Sequence, residues 1–182
     1  MQVKISDSIK YIGVDDKTID LFESQYLVPN GISYNSYLIV DEKVAIMDTV
    51  DKRKTDEWLE NLDRELNGRT PDYLVISHLE PDHASNIKVV SEKYPSMKLV
   101  GNAKTFSMLP QFFPDFDFAD QVFIAQAGDV HRLLQGFAEP VVFDVVFEGF
   151  LRAGEFPKRF AVVVRQCAAG GHCAVEVFVC QD

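Results

Sequence analysis

The sequence contains the run Leu74-Val75-Ile76-Ser77-His78-Leu79-Glu80-Pro81-Asp82-His83, in which a short apolar segment leads directly into four potential metal ligands. The apolar half has the length and composition of a buried strand. A loop at the carboxyl end of such a strand is where α/β proteins place reactive side chains, because the sheet holds the loop in position. Imidazole and carboxylate groups both bind divalent metals, and the proline restricts the loop backbone. The pattern predicts a two-metal site, with His78 and Glu80 on one ion and Asp82 and His83 on the other.

A simpler interpretation of this loop stays open. The same residues would also suit a solvated polar turn before a helix, with Asp82 near the helix N-terminus, where a negative charge is favourable. The concentration of ligand types and their position directly after an apolar strand favour the metal site over this alternative.

The surrounding sequence predicts strands that alternate with helices. Apolar and β-branched runs predict strands at Val3–Ile5, Lys10–Val14, Ser33–Val40, Val44–Asp48, Tyr73–Ser77, Met97–Gly101 and Gln121–Ala125. Apolar residues at helical spacing predict helices at Lys54–Leu66, Ala84–Tyr94 and Ala103–Phe113. Asn30-Gly31 is typical of a tight turn, Asp41-Glu42-Lys43 of a hairpin turn, and Asn67-Gly68 of a helix C-cap. The order predicts an α/β layered domain with a mixed sheet.

Composition narrows the functional classes. The chain has 182 residues and a net charge of −10, which disfavours nucleic acid or an anionic membrane as a partner. No apolar run approaches the length of a membrane-spanning helix, and the charged N-terminal residues do not resemble a secretory signal. Three cysteines near one end form no disulfide framework. We expect a reducing, cytoplasmic compartment.

Four further stretches accompany the metal motif, namely Gly31–Lys43, Ile46–Val50, Asp72–His78 and Gly101–Phe106. Together with the motif they make the region from Met1 to about Val130 resemble the N-terminal metallo-β-lactamase-like domain of flavodiiron proteins, also called A-type flavoproteins. In the wider superfamily the third motif position is usually histidine and the metal is usually zinc. Glu80 at that position is similar to the diiron branch, and a carboxylate-rich set of oxygen and nitrogen ligands suits iron.

The resemblance implies a four-layer αββα sandwich with two irons, and reduction of O2 to water or of NO to N2O with electrons from FMN. By position, His78 and Glu80 would bind the iron nearer the flavin, and Asp82 and His83 the other iron. In the family a C-terminal flavodoxin-like domain holds the FMN, which reaches the diiron site of the partner subunit in a head-to-tail homodimer. A flavodoxin or rubredoxin is the kind of electron donor implied.

The later part of the chain departs from the family pattern. Where the family has its third histidine this chain has Val145–Phe147, while His131 comes earlier and His172 later. No flavodoxin-like domain and no phosphate-binding loop for FMN follow. We therefore expect residues 1–130 to form a partial diiron domain, residues 131–182 to form a divergent tail, and the incomplete site to bind metal weakly.

The composition changes near the same point. Residues 1–124 contain 37 serine, threonine, asparagine, isoleucine and tyrosine residues, and residues 125–182 contain none. Loops and helix caps require serine, threonine and asparagine, so a change of local structure does not explain their absence. Most of these residue types have codons that begin with A. The hypothesis is that the tail is an out-of-frame translation, a pseudogene product or a fusion. The alternative is a genuine divergent lobe with β-like runs at Pro140–Phe147, Phe160–Arg165 and Ala174–Cys180, two of which flank a possible hairpin turn at Ala168–Gly171.

Other residues of ligand type carry less weight. They lie after residue 124, at Asp129, Asp144, Glu148, Glu155, Cys167, His172, Cys173 and Cys180. The cysteine and histidine spacings match no structural zinc site, so a chance cluster is favoured. Asp129 is predicted to be a turn residue. Asp144, Glu148 and Glu155 could replace the aspartate that bridges the two metals in the family, but they are predicted to be surface residues. Trp58 is predicted to belong to the core because of its helical companions.

Three functional interpretations follow. The first is a diiron oxygen or nitric-oxide reductase, or the metal-binding remnant of one. The second is a metal-dependent hydrolase of the wider superfamily, in which metal-activated water attacks an ester, amide or thioester. The third is a partial domain without activity.

Overall fold

The computed structural model describes residues 7–22 and 24–125, together with the backbone of three strands between residues 141 and 181. The chain divides into two compact units, Met1–Ile124 and Ala125–Asp182. The expected strand Val3–Ile5 lies outside the described residues.

The first unit is a mixed α/β structure. Its strands are β1 (Ile9–Tyr11), β2 (Val14–Asp16), β3 (Leu21–Phe22), β4 (Tyr26–Leu27), β5 (Ile32–Tyr34), β6 (Tyr37–Val40), β7 (Val44–Met47), β8 (Tyr73–Val75), β9 (Lys98–Gly101) and β10 (Val122–Ile124). Its α-helices are α1 (Thr55–Leu66), α2 (Pro81–Ala84), α3 (Ile87–Lys93) and α4 (Ala103–Phe112), and a 3-10 turn at Lys52–Lys54 precedes α1.

A six-stranded sheet organises this unit in the order β1-β6-β7-β8-β9-β10. The β1–β6 and β6–β7 pairs are antiparallel, whereas β7–β8, β8–β9 and β9–β10 are parallel. The sheet is therefore mixed, as the sequence predicts. The parallel strands end at one edge, so the segments that follow β7 and β8 lie next to each other.

The core packs against one face of this sheet. Alternation along the strands places Leu38, Ile46, Leu74 and Leu99 on that face, in line through the strand register. They belong to one buried cluster with helical residues that include Trp58, Leu62, Leu66, Ile87, Val90 and Leu109. The opposite face carries further buried residues at Ile9, Ile39, Ala45, Met47 and Val100. Strands buried on both faces explain why the sequence has continuous apolar runs here.

Helix α1 ends as its sequence predicts. Asn67 adopts the left-handed conformation with φ 47° and ψ 47°, and its amide donates to the Asp63 carbonyl. The buried residues Trp58, Leu62 and Leu66 share one face, and this confirms the prediction that Trp58 belongs to the core.

Two predicted strands are each divided in the structure. The run Lys10–Val14 breaks between β1 and β2, and Ser33–Val40 breaks between β5 and β6. The reason is that β2 pairs with β5 in a separate two-stranded sheet, while β1 and β6 belong to the large sheet. Both strands must therefore bend at the same level, where the Ile12 amide donates to the Ser36 carbonyl at 2.9 Å.

The predicted helix Ala84–Tyr94 also consists of two pieces. Helix α2 starts earlier, at Pro81, and a break at Ser85–Asn86 separates it from α3. The buried Asn86 side chain donates to the Val50 carbonyl at 2.6 Å, which ties the break to the neighbouring segment. The short β3–β4 hairpin has no counterpart among the predicted elements.

The second unit contains an antiparallel three-stranded sheet, with β11 (Val141–Val146), β12 (Arg159–Cys167) and β13 (Cys173–Gln181) in sequential order. The predicted runs Phe160–Arg165 and Ala174–Cys180 are confirmed within β12 and β13, and Pro140–Phe147 is confirmed over the residues of β11, its two end residues lying outside the described part of the chain. The predicted turn Ala168–Gly171 lies outside the described residues. No helix in the described part of the chain is long and apolar enough to cross a membrane.

Candidate metal site

The four predicted ligands lie where the parallel strands end. The Ile76 amide continues the sheet beyond β8 by donating to the Val100 carbonyl at 2.9 Å. His78 follows on the loop, and Pro81 occupies the first turn of α2, where its missing N–H costs nothing. Asp82 and His83 lie within that single helical turn. The alternative view of Asp82 as a residue of a helix N-terminus thus describes its position correctly, but its surroundings are those of a half-buried polar cluster.

The two predicted ligand pairs are adjacent in space. His78 Nδ1 lies 3.5 Å from Glu80 Oε2, and His83 Nε2 lies 3.4 Å from Asp82 Oδ2. The two imidazole rings are 4.1 Å apart between centroids. Three of the side chains are largely buried, whereas Glu80 remains 56% exposed. The assignment of each pair to its own metal stays a prediction.

Among the four residues, Asp82 gives the strongest indication of a cation-binding site. Its Oδ1 atom is buried and has no hydrogen-bond partner among the described residues. A buried carboxylate oxygen without a partner is costly, and a cation is the natural compensation. Within the described part of the chain, however, no three His, Cys, Asp or Glu side chains converge as a complete metal site. Imidazole nitrogens and carboxylate oxygens are donor types that suit iron, and the role of these four residues as metal ligands stays a prediction.

Asp48 is a site residue that the sequence reasoning did not single out. It follows β7 with φ 54°, a left-handed conformation that aspartate tolerates better than most residues. Its carboxylate accepts hydrogen bonds from the Ser77 amide at 2.8 Å, from the Ser77 hydroxyl, and from His83 Nδ1 at 3.1 Å. The sequence offered one indication of this role, because Asp48 is the last residue of the predicted strand Val44–Asp48. In the structure this strand pairs with β8, the strand that precedes the motif.

The two histidines have opposite electrostatic environments. Burial lowers the pKa of His78, and the neighbouring His83 lowers it further. Burial also acts to lower the pKa of His83, but the Asp48 hydrogen bond and the nearby carboxylates outweigh it and raise that pKa above its ordinary value. His78 is therefore the better neutral ligand near pH 7, whereas His83 releases its proton less readily.

Buried polar contacts fix the loop from behind. The Thr49 amide and hydroxyl donate to the His83 carbonyl at 2.9 and 2.7 Å. Trp58 Nε1 donates to Ser36 Oγ at 3.1 Å, and Ser36 Oγ donates to the Asp48 carbonyl at 2.9 Å. Helix α1 is thereby connected to the turn that positions His83.

A cavity of about 460 Å³ opens beside Asp82. Its wall includes Phe22 of the β3–β4 hairpin, Arg53 and Pro81. The Arg53 guanidinium forms two contacts to Asp51, at 2.9 and 3.0 Å, and so its charge is already paired. Of the motif residues, Pro81 and Asp82 line this cavity.

The remaining candidate ligands all belong to the second unit. Asp129, His131, Glu148, Glu155 and His172 lie outside the described residues. Asp144, Cys167, Cys173 and Cys180 lie on strands of the second unit, where Cys167 and Cys173 are register partners.

Comparison with known proteins agrees with the predicted fold and family. A family model described as the metallo-beta-lactamase superfamily matches residues 29–178. An anaerobic nitric oxide reductase flavorubredoxin from Aliivibrio salmonicida is 36% identical over 96 residues, which cover 52% of this chain and 19% of that protein. The flavo-diiron protein FprA2 of Clostridium acetobutylicum is 34% identical over 100 residues, covering 55% and 25%. The chain spans about a fifth to a quarter of the length of these relatives.

Solved structures of similar proteins agree with this fold. Rubredoxin oxygen:oxidoreductase from Desulfovibrio gigas has a TM-score of 0.64 and 30% identity, covering 70% of this chain and 31% of that one. The flavodiiron protein from Giardia intestinalis has a TM-score of 0.63 over 98% of this chain and 37% of that one, at 20% identity, which supports the fold alone.

Proposed function

Because the chain belongs to the metallo-β-lactamase superfamily, we propose that its loop from His78 to His83 supplies part of a diiron centre for the reduction of O2 or NO. Relatives that match about half of this chain are named as a nitric oxide reductase and as a flavo-diiron protein. Their whole activity belongs to much longer proteins, so its extension to this chain is the content of the proposal.

The arrangement around His83 is the observation that carries the proposal. With Nδ1 bonded to Asp48, Nε2 is the ring nitrogen left for a metal once the imidazolium has lost its proton, and it lies 3.4 Å from Asp82 Oδ2. Metal-binding histidines commonly donate their second ring nitrogen to a carboxylate in this way, because the hydrogen bond fixes both the tautomer and the ring orientation. Asp82, the neighbour of His83, has a buried Oδ1 atom without a hydrogen-bond partner among the described residues.

The donor set favours iron. Two imidazoles with two carboxylates form a nitrogen and oxygen set without thiolates, which suits iron better than a soft site would. Iron would supply the redox chemistry, His78, Glu80, Asp82 and His83 would hold it, and a small substrate would enter through the cavity beside Asp82.

The proposal extends to partners. Electrons would come through FMN from a flavodoxin or a rubredoxin, and the FMN would belong to another domain or chain. A homodimer would bring that donor to the site, and the three cysteines suit a reducing, cytoplasmic compartment.

Iron loading of the full chain is the test. The purified protein would be incubated anaerobically with Fe(II), dialysed, and analysed for iron per chain and for a mixed-valent electron paramagnetic resonance signal. Asp82→Asn and His83→Gln should lower the bound iron several-fold, because each removes one donor. Asp115→Asn is the matched control, since Asp115 is an exposed carboxylate remote from the motif in sequence.

The outcomes separate the alternatives. A mixed-valent signal with consumption of O2 or NO supports the proposal. Stoichiometric zinc with hydrolysis of an ester or thioester would replace it by the hydrolase function. If the wild-type protein bound no more iron than the Asp82→Asn and His83→Gln variants, the proposal would be overturned. Retention of two irons against a chelator would contradict only the expectation of weak binding.

A further inference from the structure

We infer that Asn67 is a site of spontaneous deamidation in the folded protein, whereas Asn30 is protected. These two asparagines are the ones in the chain that precede glycine. Both are exposed, so solvent access does not distinguish them. The difference lies in the glycine amide that would attack each side chain.

The chemistry needs only water. The backbone nitrogen of the following glycine, on losing its proton, attacks the asparagine side-chain carbonyl carbon and forms a new C–N bond. The C–N bond to the side-chain amide breaks, and ammonia leaves with the proton. Water then opens the cyclic imide at either carbonyl, which yields aspartate or isoaspartate, and no oxidant or reductant takes part.

The peptide after Asn67 is free to react. Among the described residues the Gly68 amide has no hydrogen-bond acceptor, although the amides on either side of it do, Asn67 to Asp63 and Arg69 to Leu66. A side-chain atom added at Gly68 would meet nothing within 4 Å, so the peptide has room to rotate into the reactive geometry. Asn67 also lies just beyond the last turn of α1, where helices fray with little loss of free energy.

The peptide after Asn30 is held in place. The Gly31 amide donates to the Val28 carbonyl at 2.8 Å, so attack requires that this bond first break. The backbone also packs closely, because a side-chain atom added at Gly31 would lie 2.2 Å from the Asp16 carbonyl oxygen. Rotation of this peptide would disturb the β2–β5 pairing, in which Asp16 is opposite Ile32.

Deamidation at Asn67 has a defined structural cost. It adds a negative charge at the C-terminus of α1, the end of a helix that already carries partial negative charge. The nearby Asp63 and Glu65 increase the repulsion. Isoaspartate also inserts a backbone carbon between Leu66 and Arg69, where the chain now closes with a 2.9 Å hydrogen bond.

The experiment follows the two sites in one sample. Full-length protein would be kept at mildly alkaline pH, and peptide mapping by mass spectrometry would quantify aspartate and isoaspartate at each asparagine over time. We expect modification at Asn67 to be several-fold faster than at Asn30. The same incubation in concentrated urea should bring the two rates together, because both sequences are Asn-Gly.

A variant separates sequence from structure. Gly68→Ala should slow modification at Asn67 several-fold and leave Asn30 unchanged, and its circular dichroism spectrum would report whether the fold is intact. Equal rates at the two sites in the folded protein, or faster modification at Asn30, would overturn the inference. So would a difference between the sites that persists unchanged in urea.

Discussion

Asp48 connects the sheet to the candidate site through one carboxylate. Its left-handed backbone ends β7, and its side chain fixes both the Ser77 peptide and the His83 ring. Asn tolerates the same backbone conformation, so Asp48→Asn removes the charge with little added strain.

We expect Asp48→Asn to lower the pKa of His83. The wild-type pKa is raised because Asp48 bonds the ring and other carboxylates surround it, and this outweighs burial. A raised histidine pKa contributes stability below the unfolded value of about 6.5, and this contribution is lost as pH rises through the folded pKa. The variant should therefore lose more stability at mildly acidic pH than above neutrality. NMR titration of the metal-free protein measures the ring pKa, and an unchanged value would contradict the assignment.

Asp16 is a buried carboxylate at the end of β2, and it fixes the turn that follows this strand. The Thr18 amide and hydroxyl donate to its Oδ1 at 2.9 and 2.7 Å, and Lys54 Nζ lies 3.8 Å away. Burial acts to raise the pKa of Asp16, but the Thr18 bonds and the charges of Lys54 and Arg53 outweigh it and lower that pKa.

We expect Asp16→Asn to destabilise the fold by about 1–3 kcal/mol at neutral pH, because it weakens buried charge-assisted hydrogen bonds. A lowered carboxyl pKa contributes stability above the unfolded value, and this is lost as pH falls through the folded pKa. The difference from wild type should therefore shrink in acid. Urea unfolding at several pH values measures it. Asp15→Asn is the neighbouring control, because Asp15 is exposed.

Helix α1 shows how one element combines packing with positioning. Its fully buried residues Trp58 and Leu62 contact the core, and the Trp58 ring bonds to Ser36. Leu59, one residue from Trp58, is only partly buried. The helix therefore offers a pair of leucines that differ in burial and not in chemistry.

We expect Leu62→Ala to cost about 2–5 kcal/mol, since it leaves a cavity in the core. Leu59→Ala should cost clearly less, because its site opens to solvent. Urea unfolding followed by circular dichroism and by the fluorescence of the single tryptophan compares the two. Equal losses would show that burial at these two positions does not control the stability of α1.

The charge of the whole molecule governs its choice of partners. With a net charge of −10, the chain repels phosphate backbones at long range. We expect no binding to duplex DNA even at low salt, where electrostatic binding is strongest. Fluorescence anisotropy of a labelled duplex is the measurement. Binding that weakens as salt is added would show a basic patch that the net charge conceals.

The origin of the tail is also a property of the whole chain. The family match reaches residue 178 and so enters the region without serine, threonine, asparagine, isoleucine or tyrosine. The out-of-frame hypothesis predicts that resequencing the gene will reveal a changed reading frame near residue 125. An intact frame, with related proteins that share this tail, would favour a genuine lobe.

Local patterns were sufficient for most of the individual elements. The hairpin at Asp41–Lys43, the cap at Asn67 and the parallel strands after Tyr73 were predictable, because each depends on residues close together in sequence. The cluster of metal-binding residue types from His78 to His83 was also visible in the sequence, because these residues are close together along the chain. The divided strands and the break at Asn86 were not predictable, because pairing with remote segments causes them.

The sequence alone determined that residues of metal-binding type follow a buried strand, since apolar spacing and the density of such residues are local properties. Only the tertiary structure decided which residue orients them, because Asp48 reaches His83 across two parallel strands whose register places their ends together. It also distinguished two identical Asn-Gly pairs, because the hydrogen bond that holds Gly31 and the open space around Gly68 depend on how the chain folds.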